Sequence, residues 1–325
     1  MTDDPRYSLK ELRLAADRVR AVIPLTPQQQ WPLLSDAVGA EVWAKHENHT
    51  PVGAFKVRGG INYVHKLCER EPATREVVAA STGNHGQSVI YAARRHGLNA
   101  TIVVPEGNNP EKSASMRALG AELVEHGADF NVSLEHARTL AAARGAHLFE
   151  SYHADLVAGV ASYALELLEN APPLDAVFVP IGMGSGCNAV VAARDALGLD
   201  TRIIGVVAEL APAYLHSFAQ RKLVSSNLCQ TFAEGLAVRI PNPEALSMIL
   251  DGVDHVTAVS DDELAEAMRM LFSATHNVVE GAGASTLAAL MRERADWAGK
   301  RVGIVLSGGN IDSPRYLKVL NGETP

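Results

Sequence analysis

Lys56 stands in the stretch Thr50-Pro51-Val52-Gly53-Ala54-Phe55-Lys56-Val57-Arg58-Gly59-Gly60, where a turn containing Pro and Gly runs into the first turn of a helix. The partial positive charge of a helix N-terminus disfavours a cation there. The aromatic neighbour Phe55 points to partial burial, which also favours the neutral amine. A neutral amine is the form that adds to a carbonyl in Schiff-base chemistry. On this stretch alone a solvated helix lysine stands as the competing reading.

Three further turns carry residue types suited to chemistry. Ser81-Thr82-Gly83-Asn84-His85-Gly86 follows an apolar run, and its hydroxyls, carboxamide and imidazole among free N–H groups suit a carboxylate. The same residues also read as an ordinary helix cap with a glycine turn. Gly182-Met183-Gly184-Ser185-Gly186 lets successive N–H groups converge on an anion, with phosphate the natural guest; a tight strand-to-helix crossing is the alternative. A dinucleotide fingerprint would need Gly where Cys187 stands, and a nucleophile elbow around Ser185 would need Gly at 183 and 187. Ser307-Gly308-Gly309-Asn310 offers one hydroxyl that faces a ligand or caps the last helix, and Val279-Glu280-Gly281-Ala282-Gly283 likewise reads as a helix cap. His46 and His49 have no third ligand in evidence, so no metal is assigned.

The elements that must hold these turns alternate strand and helix. Helices are expected over Leu9–Val22, from Lys56 to about Glu69, and over Gln87–His96, Pro110–Leu119 and Val132–Ala143. Strands are expected at Glu41–His46, Val77–Ala80, Thr101–Val104 and Ala121–Val124. A second series follows with strands at Asp175–Pro180, Ile203–Ala208, His255–Val259 and Val302–Leu306. Helices at Asn188–Leu197, Ser260–Phe272, Gly283–Glu293 and Asp312–Val319 accompany them, the second opened by the capping-box pattern Ser260-x-x-Glu263. Strands apolar on both faces imply parallel sheets covered by helices. The reading is α/β, two open, mostly parallel sheets flanked by helices. Residues 1–75 and 149–325 form the larger unit, with 76–148 inserted as the smaller. Ligands of such sheets collect at the carboxyl ends of strands, where these turns lie.

Composition narrows the class. The chain has 325 residues, 47% hydrophobic and 20% charged, which is ordinary for a globular protein. A net charge of -8 argues against nucleic acid or an anionic membrane surface as partner. The uncharged run Ala176–Ala193 is cut by Pro180 and three glycines, so it cannot span a bilayer as a helix. Three scattered cysteines give no metal spacing or disulfide framework, which fits a reducing cytoplasm. The acidic start Met1-Thr2-Asp3-Asp4 lacks the apolar core of a signal peptide.

Taken together, Ala54-Phe55-Lys56-Val57-Arg58-Gly59, Ser81-Thr82-Gly83-Asn84-His85, the glycine cup at 182–186 and Ser307-Gly308-Gly309-Asn310 resemble the fold-type-II pyridoxal-phosphate enzymes. The similarity is to the serine/threonine dehydratase and serine racemase family, and it runs from about residue 20 to 320. The resemblance implies a tryptophan-synthase-β-like fold and pyridoxal 5'-phosphate held by Lys56 as a Schiff base. By the same resemblance Gly182, Met183, Gly184, Ser185 and Gly186 hold its phosphate, Asn84 its ring hydroxyl and Ser307 its ring nitrogen. Phe55 would pack beside the ring and Glu280 lie near it. Ser81, Thr82, Asn84 and His85 would meet the substrate, with Ser81 and Thr82 joining Lys56 among the catalytic candidates. The implied reaction is β-elimination from a β-hydroxy-α-amino acid such as threonine, serine or 3-phenylserine, giving a 2-oxo acid and ammonia. A small-molecule substrate and a homo-oligomer complete what the resemblance implies.

Departures from the family pattern bear on detail. Ala54 stands where serine is usual, and Met183 and Ser185 interrupt a run that is commonly all glycine. Val207 occupies the place of the family's acidic cation ligand, with Glu209 on the same strand face, so no strict divalent-cation requirement is expected. Thr82 stands where dehydratases usually have alanine and the racemase has serine, which keeps amino-acid racemisation as an alternative. A non-catalytic protein that merely retains the cofactor is the third reading. The local wording is similar to the phenylserine and hydroxyectoine-utilisation dehydratases. With only a short tail after Asn310, the regulatory domain of biosynthetic threonine dehydratases and its isoleucine feedback are not expected.

Overall fold

The computed structural model describes residues 4–325; the Met1-Thr2-Asp3 part of the acidic start lies outside them. Ten strands occur among these residues: β1 Gln28–Gln30, β2 Glu41–His46, β3 Glu76–Ala80, β4 Asn99–Val104, β5 Glu122–Glu125, β6 His147–Leu148, β7 Ala176–Pro180, β8 Arg202–Ala208, β9 His255–Val259 and β10 Arg301–Leu306. They form a six-stranded sheet in the order β1-β2-β10-β7-β8-β9 and a four-stranded sheet in the order β5-β4-β3-β6. Every pairing is parallel except β1 with β2. The fold is therefore the expected α/β arrangement of two mostly parallel sheets.

Strand β10 returns from the end of the chain to lie between β2 and β7. Its register pairs Val302 with Val42 on one side and with Ala176 on the other. The carboxyl ends of β2, β10 and β7 are thereby neighbours. From them leave the loop to Lys56, the Ser307 turn and the glycine cup. The fourth turn, Ser81 to Gly86, leaves the carboxyl end of β3 in the smaller sheet.

A 17-residue helix, Ala154–Asn170, was not anticipated from the sequence. Its residues from Ala154 to Leu167 are all buried, so it lacks the polar stripe by which an amphipathic helix is recognised. It packs against the Lys56–Arg70 helix, whose Val57, Ile61, Val64 and Leu67 share a core with Val77, Ala79 and Ile102 of the smaller sheet. The expected capping box is present: Ser260 Oγ accepts from Glu263 N and a Glu263 carboxylate oxygen accepts from Ser260 N. No helix among the described residues is long and apolar enough to cross a membrane.

Two helices begin a full three residues earlier than expected, and both matter. The helix expected from Gln87 begins at Asn84, and the one expected from Asn188 begins at Ser185. Apolar periodicity does not register a first turn made of polar and glycine residues. Asn84, His85, Ser185 and Gly186 consequently sit on rigid helical backbone.

Candidate active site

The Lys56 loop is held in place by the Ser307 turn. Thr50 Oγ1 accepts from Ala54 N at 2.9 Å and donates to Ala54 O at 2.8 Å, which folds the loop on itself. Ala54 then bridges Gly308 in antiparallel fashion. Phe55 N donates to Ser307 O at 3.0 Å, and Gly309 N donates to Gly53 O at 2.9 Å. Three residues on each side thus pair like a short strand, which brings Lys56 beside Ser307 although 251 positions separate them (307 minus 56). Asn310 Nδ2 ties the arrangement to Val52 O and Asn84 Oδ1, each at 2.8 Å.

Lys56 is the first residue of its helix, as expected. Its amine makes no hydrogen bond among the described residues and lies 5.1 Å from the centroid of the Phe55 ring. Burial lowers its pKa to about 8, against the opposing pull of the Glu280 carboxylate. The solvated-lysine reading does not hold: the residue is half-buried and its amine is easily kept neutral. Two positions on, the fully buried Arg58 donates to Glu47 Oε2 at 2.7 Å and Glu166 Oε1 at 2.8 Å, and Lys45 Nζ meets Glu166 Oε2 at 2.6 Å. This ion cluster locks the start of the helix.

The glycine cup has the form of an anion cradle. Gly184 adopts φ +101°, a left-handed conformation that L side chains rarely take. A Cβ on Gly182 would come within 2.3 Å of Gly235 O, so the backbone approach there requires glycine. Tyr214 donates to Met183 O and Tyr163 to Gly186 O, both at 3.1 Å, which turns these carbonyls away from the cup. The N–H groups of Gly184, Ser185 and Gly186 donate to nothing among the described residues. Free donors at the start of a buried helix fit a phosphate. The Phe55 ring packs over this cup: a Cβ on Gly186 would lie 3.2 Å from Phe55 Cζ.

The remaining predicted residues gather around the same space. Asn84 Nδ2 donates to Glu280 Oε1 at 2.8 Å. Glu280 occupies the N-cap position of the Gly281–Arg292 helix, yet its side chain makes no capping bond. Burial raises its pKa, opposed by Lys112 and by the Asn84 hydrogen bond. Ser307 is buried, its hydroxyl makes no hydrogen bond among the described residues, and Asp312 caps the last helix instead. Ser81 Oγ accepts from Gly83 N at 3.2 Å and Gly86 N at 2.8 Å, so its oxygen caps the helix while its proton stays free to donate. His85 is buried with Nε2 unpartnered, and burial followed by the charge of Lys56 lowers its pKa to about 3. Thr82 is half-buried and lines a cleft of about 470 Å³ beside Asn109, Glu234, Asp312 and Arg315.

Sequence reasoning missed Lys112, Glu234, Tyr163 and Tyr214. Nothing local marks them, since each acquires its place through contacts 23 to 122 residues away. Glu209, the candidate stand-in for a cation ligand, is paired with Arg292 at 2.9 Å. His46 accepts from Trp31 Nε1 at 3.0 Å, and no cluster of metal-ligating side chains occurs among the described residues.

A half-buried, unpartnered lysine, a cradle of free N–H groups and a buried free hydroxyl on adjoining strand ends are what a pyridoxal-phosphate enzyme of this fold needs. The family model for pyridoxal-phosphate dependent enzymes matches residues 19–308, and the chain belongs to that family. It is 34% identical over 310 residues to L-threo-3-hydroxyaspartate ammonia-lyase of Saccharomyces cerevisiae, covering 95% of each chain. To L-threonine ammonia-lyase of Thermotoga maritima it is 34% identical over 317 residues, covering 97% of this chain and 78% of that one. Maize serine racemase superposes with a TM-score of 0.90 at 27% identity, covering 97% of both chains. Pyridoxal phosphate is the cofactor of this enzyme.

Proposed function

We propose that the chain is an ammonia-lyase that removes water and then ammonia from a β-hydroxy-α-amino acid, leaving a 2-oxo acid. The observation that carries the reading is the backbone pairing of residues 53–55 with 307–309, which holds the loop that ends in Lys56 against the turn that carries the neutral Ser307 hydroxyl. The names of the yeast and Thermotoga relatives point the same way.

Lys56 would hold the cofactor through Nζ, the 182–186 cup its phosphate, Ser307 its ring nitrogen and Asn84 its ring hydroxyl. Bound there, pyridoxal phosphate supplies a sink for the electron pair left at Cα when its proton departs. The neutral Lys56 amine would take that proton, its pKa of about 8 placing it within reach of a neutral working pH. A serine hydroxyl cannot protonate the ring as a carboxylic acid would, so charge at Cα is better relieved by losing the β-hydroxyl at once. The free protons of Ser81 and the Asn84 amide, with His85, would orient the substrate carboxylate. The released enamine hydrolyses to the 2-oxo acid and ammonia.

Holoenzyme incubated with threonine, serine, 3-phenylserine and 3-hydroxyaspartate isomers should release 2-oxo acid and ammonia in equal amounts from at least one of them. No release from any member rejects the reading. Racemisation is the second reading, favoured by the Thr82 side chain lining the open cleft. Solvent deuterium at Cα together with the opposite enantiomer would identify it.

A further inference from the structure

We infer that the cleft beside Thr82 selects β-hydroxy amino acids with an uncharged side chain and rejects diacids, because Glu234 occupies both cations that would otherwise receive a second carboxylate. The inference rests on the proposed lyase function and names its substrate class.

Glu234 adjoins the site on two sides. The next residue, Gly235, presents the carbonyl that leaves no room for a Cβ on Gly182, and a Cβ on Gly235 itself would lie 4.0 Å from Glu280 Oε1. On the other side Glu234 Oε2 binds Lys112 Nζ at 2.6 Å, and the Lys112 stem would lie 3.2 Å from a Cβ on Gly83. Lys112 therefore reaches from the smaller sheet's helix toward the 81–86 turn, where the substrate is expected. Glu234 Oε1 binds Arg315 Nη1 at 2.5 Å, and Arg315 also faces Asp312 at 3.5 Å. Asp312 in turn accepts from Asn109 Nδ2 at 2.9 Å.

The charge around this space is settled by these pairs. Glu106, Glu234, Asp312 and Arg315 line the cleft, three carboxylates against one guanidinium. Lys112 and Arg315 are both bound to Glu234, whose carboxyl they hold below its usual range against the effect of its burial. Glu106 makes no ion pair among the described residues. A β-carboxylate entering here finds Lys112 and Arg315 already bound and three carboxylates lining the cleft, so its desolvation is not offset. A methyl or phenyl group carries no such penalty. Specificity of this kind works by repulsion of the wrong ligand rather than by a new attraction.

The test measures calorimetric binding of succinate and 3-hydroxybutyrate, the desamino counterparts of aspartate and threonine, to the holoenzyme. Wild type should bind 3-hydroxybutyrate at least tenfold more tightly, about 1.4 kcal/mol. Glu234→Gln should lower that ratio at least fivefold by releasing Lys112 and Arg315. Glu106→Gln, on an exposed loop position where folding is not at stake, should lower it about threefold. Equal or tighter succinate binding by wild type overturns the proposal. So does a smaller change in Glu234→Gln, or, where that variant fails to fold, an unchanged ratio in Glu106→Gln. Binding is read without turnover, so a failure to release 2-oxo acid from any substrate rejects the lyase reading separately.

Discussion

Asn84 Nδ2 donates to Glu280 Oε1 across 2.8 Å, joining the first turn of a helix on the smaller sheet to the N-cap of a helix on the larger. Asn310 donates to the other end of the same carboxamide, so Asn84 has a single orientation in which both of its polar ends are used. Asn84→Ala removes both bonds and leaves Glu280 without a donor in a buried setting. Loss of about 1–3 kcal/mol of stability is expected, measured by denaturant unfolding. Cofactor affinity should fall in the same variant. Unchanged stability and affinity would count against a shared network.

The Lys56 amine adds to an aldehyde only when neutral, and its pKa is lowered to about 8. Below that value each unit of pH multiplies the neutral fraction by about ten, and above it the fraction saturates. Capture of pyridoxal phosphate by apoprotein, followed in a stopped-flow spectrometer, should therefore rise from pH 6 to about 8 and then level. A rate still climbing at pH 10 would mark an ordinary lysine. Lys56→Ala should abolish the absorbance near the visible edge and lower 2-oxo acid release by about a thousandfold or more.

The cup distinguishes two kinds of steric limit. A Cβ on Gly182 meets backbone, Gly235 O at 2.3 Å, whereas one on Gly186 meets the edge of the Phe55 ring at 3.2 Å, and that side chain has room to give. Gly182→Ala should weaken cofactor binding at least tenfold by equilibrium dialysis, and Gly186→Ala about threefold. Equal effects would mean that the cup reshapes as a whole.

Arg58 is buried between Glu47 and Glu166, and removing it strands the Glu47 carboxylate away from water while Glu166 keeps its ion pair with Lys45. Arg58→Met should cost about 3–5 kcal/mol in denaturant unfolding. Because the cluster anchors the helix that Lys56 opens, cofactor loss should accompany the destabilisation. A variant as stable as wild type would show that the cluster repacks.

The alternation of strand and helix, the four chemistry-bearing turns in their order and Lys56 at a helix start are all legible in the residues alone. These are local properties, written in hydrophobic period and in the glycines that only special backbone needs. Each turn also reads as an ordinary cap or crossing, and contacts between distant segments choose between the two. Ser81 caps with its oxygen, accepting from Gly83 N and Gly86 N, while keeping its proton. Glu280 sits at a cap position without capping, and Ser307 leaves capping to Asp312. The buried Ala154–Asn170 helix and the Lys112–Glu234–Arg315 chain stayed invisible for one physical reason. Burial on every face erases the helical period, and an ion pair between residues 122 positions apart leaves no trace in the spacing of either. The insertion of β10 between β2 and β7 is what turns separate glycine turns into one site.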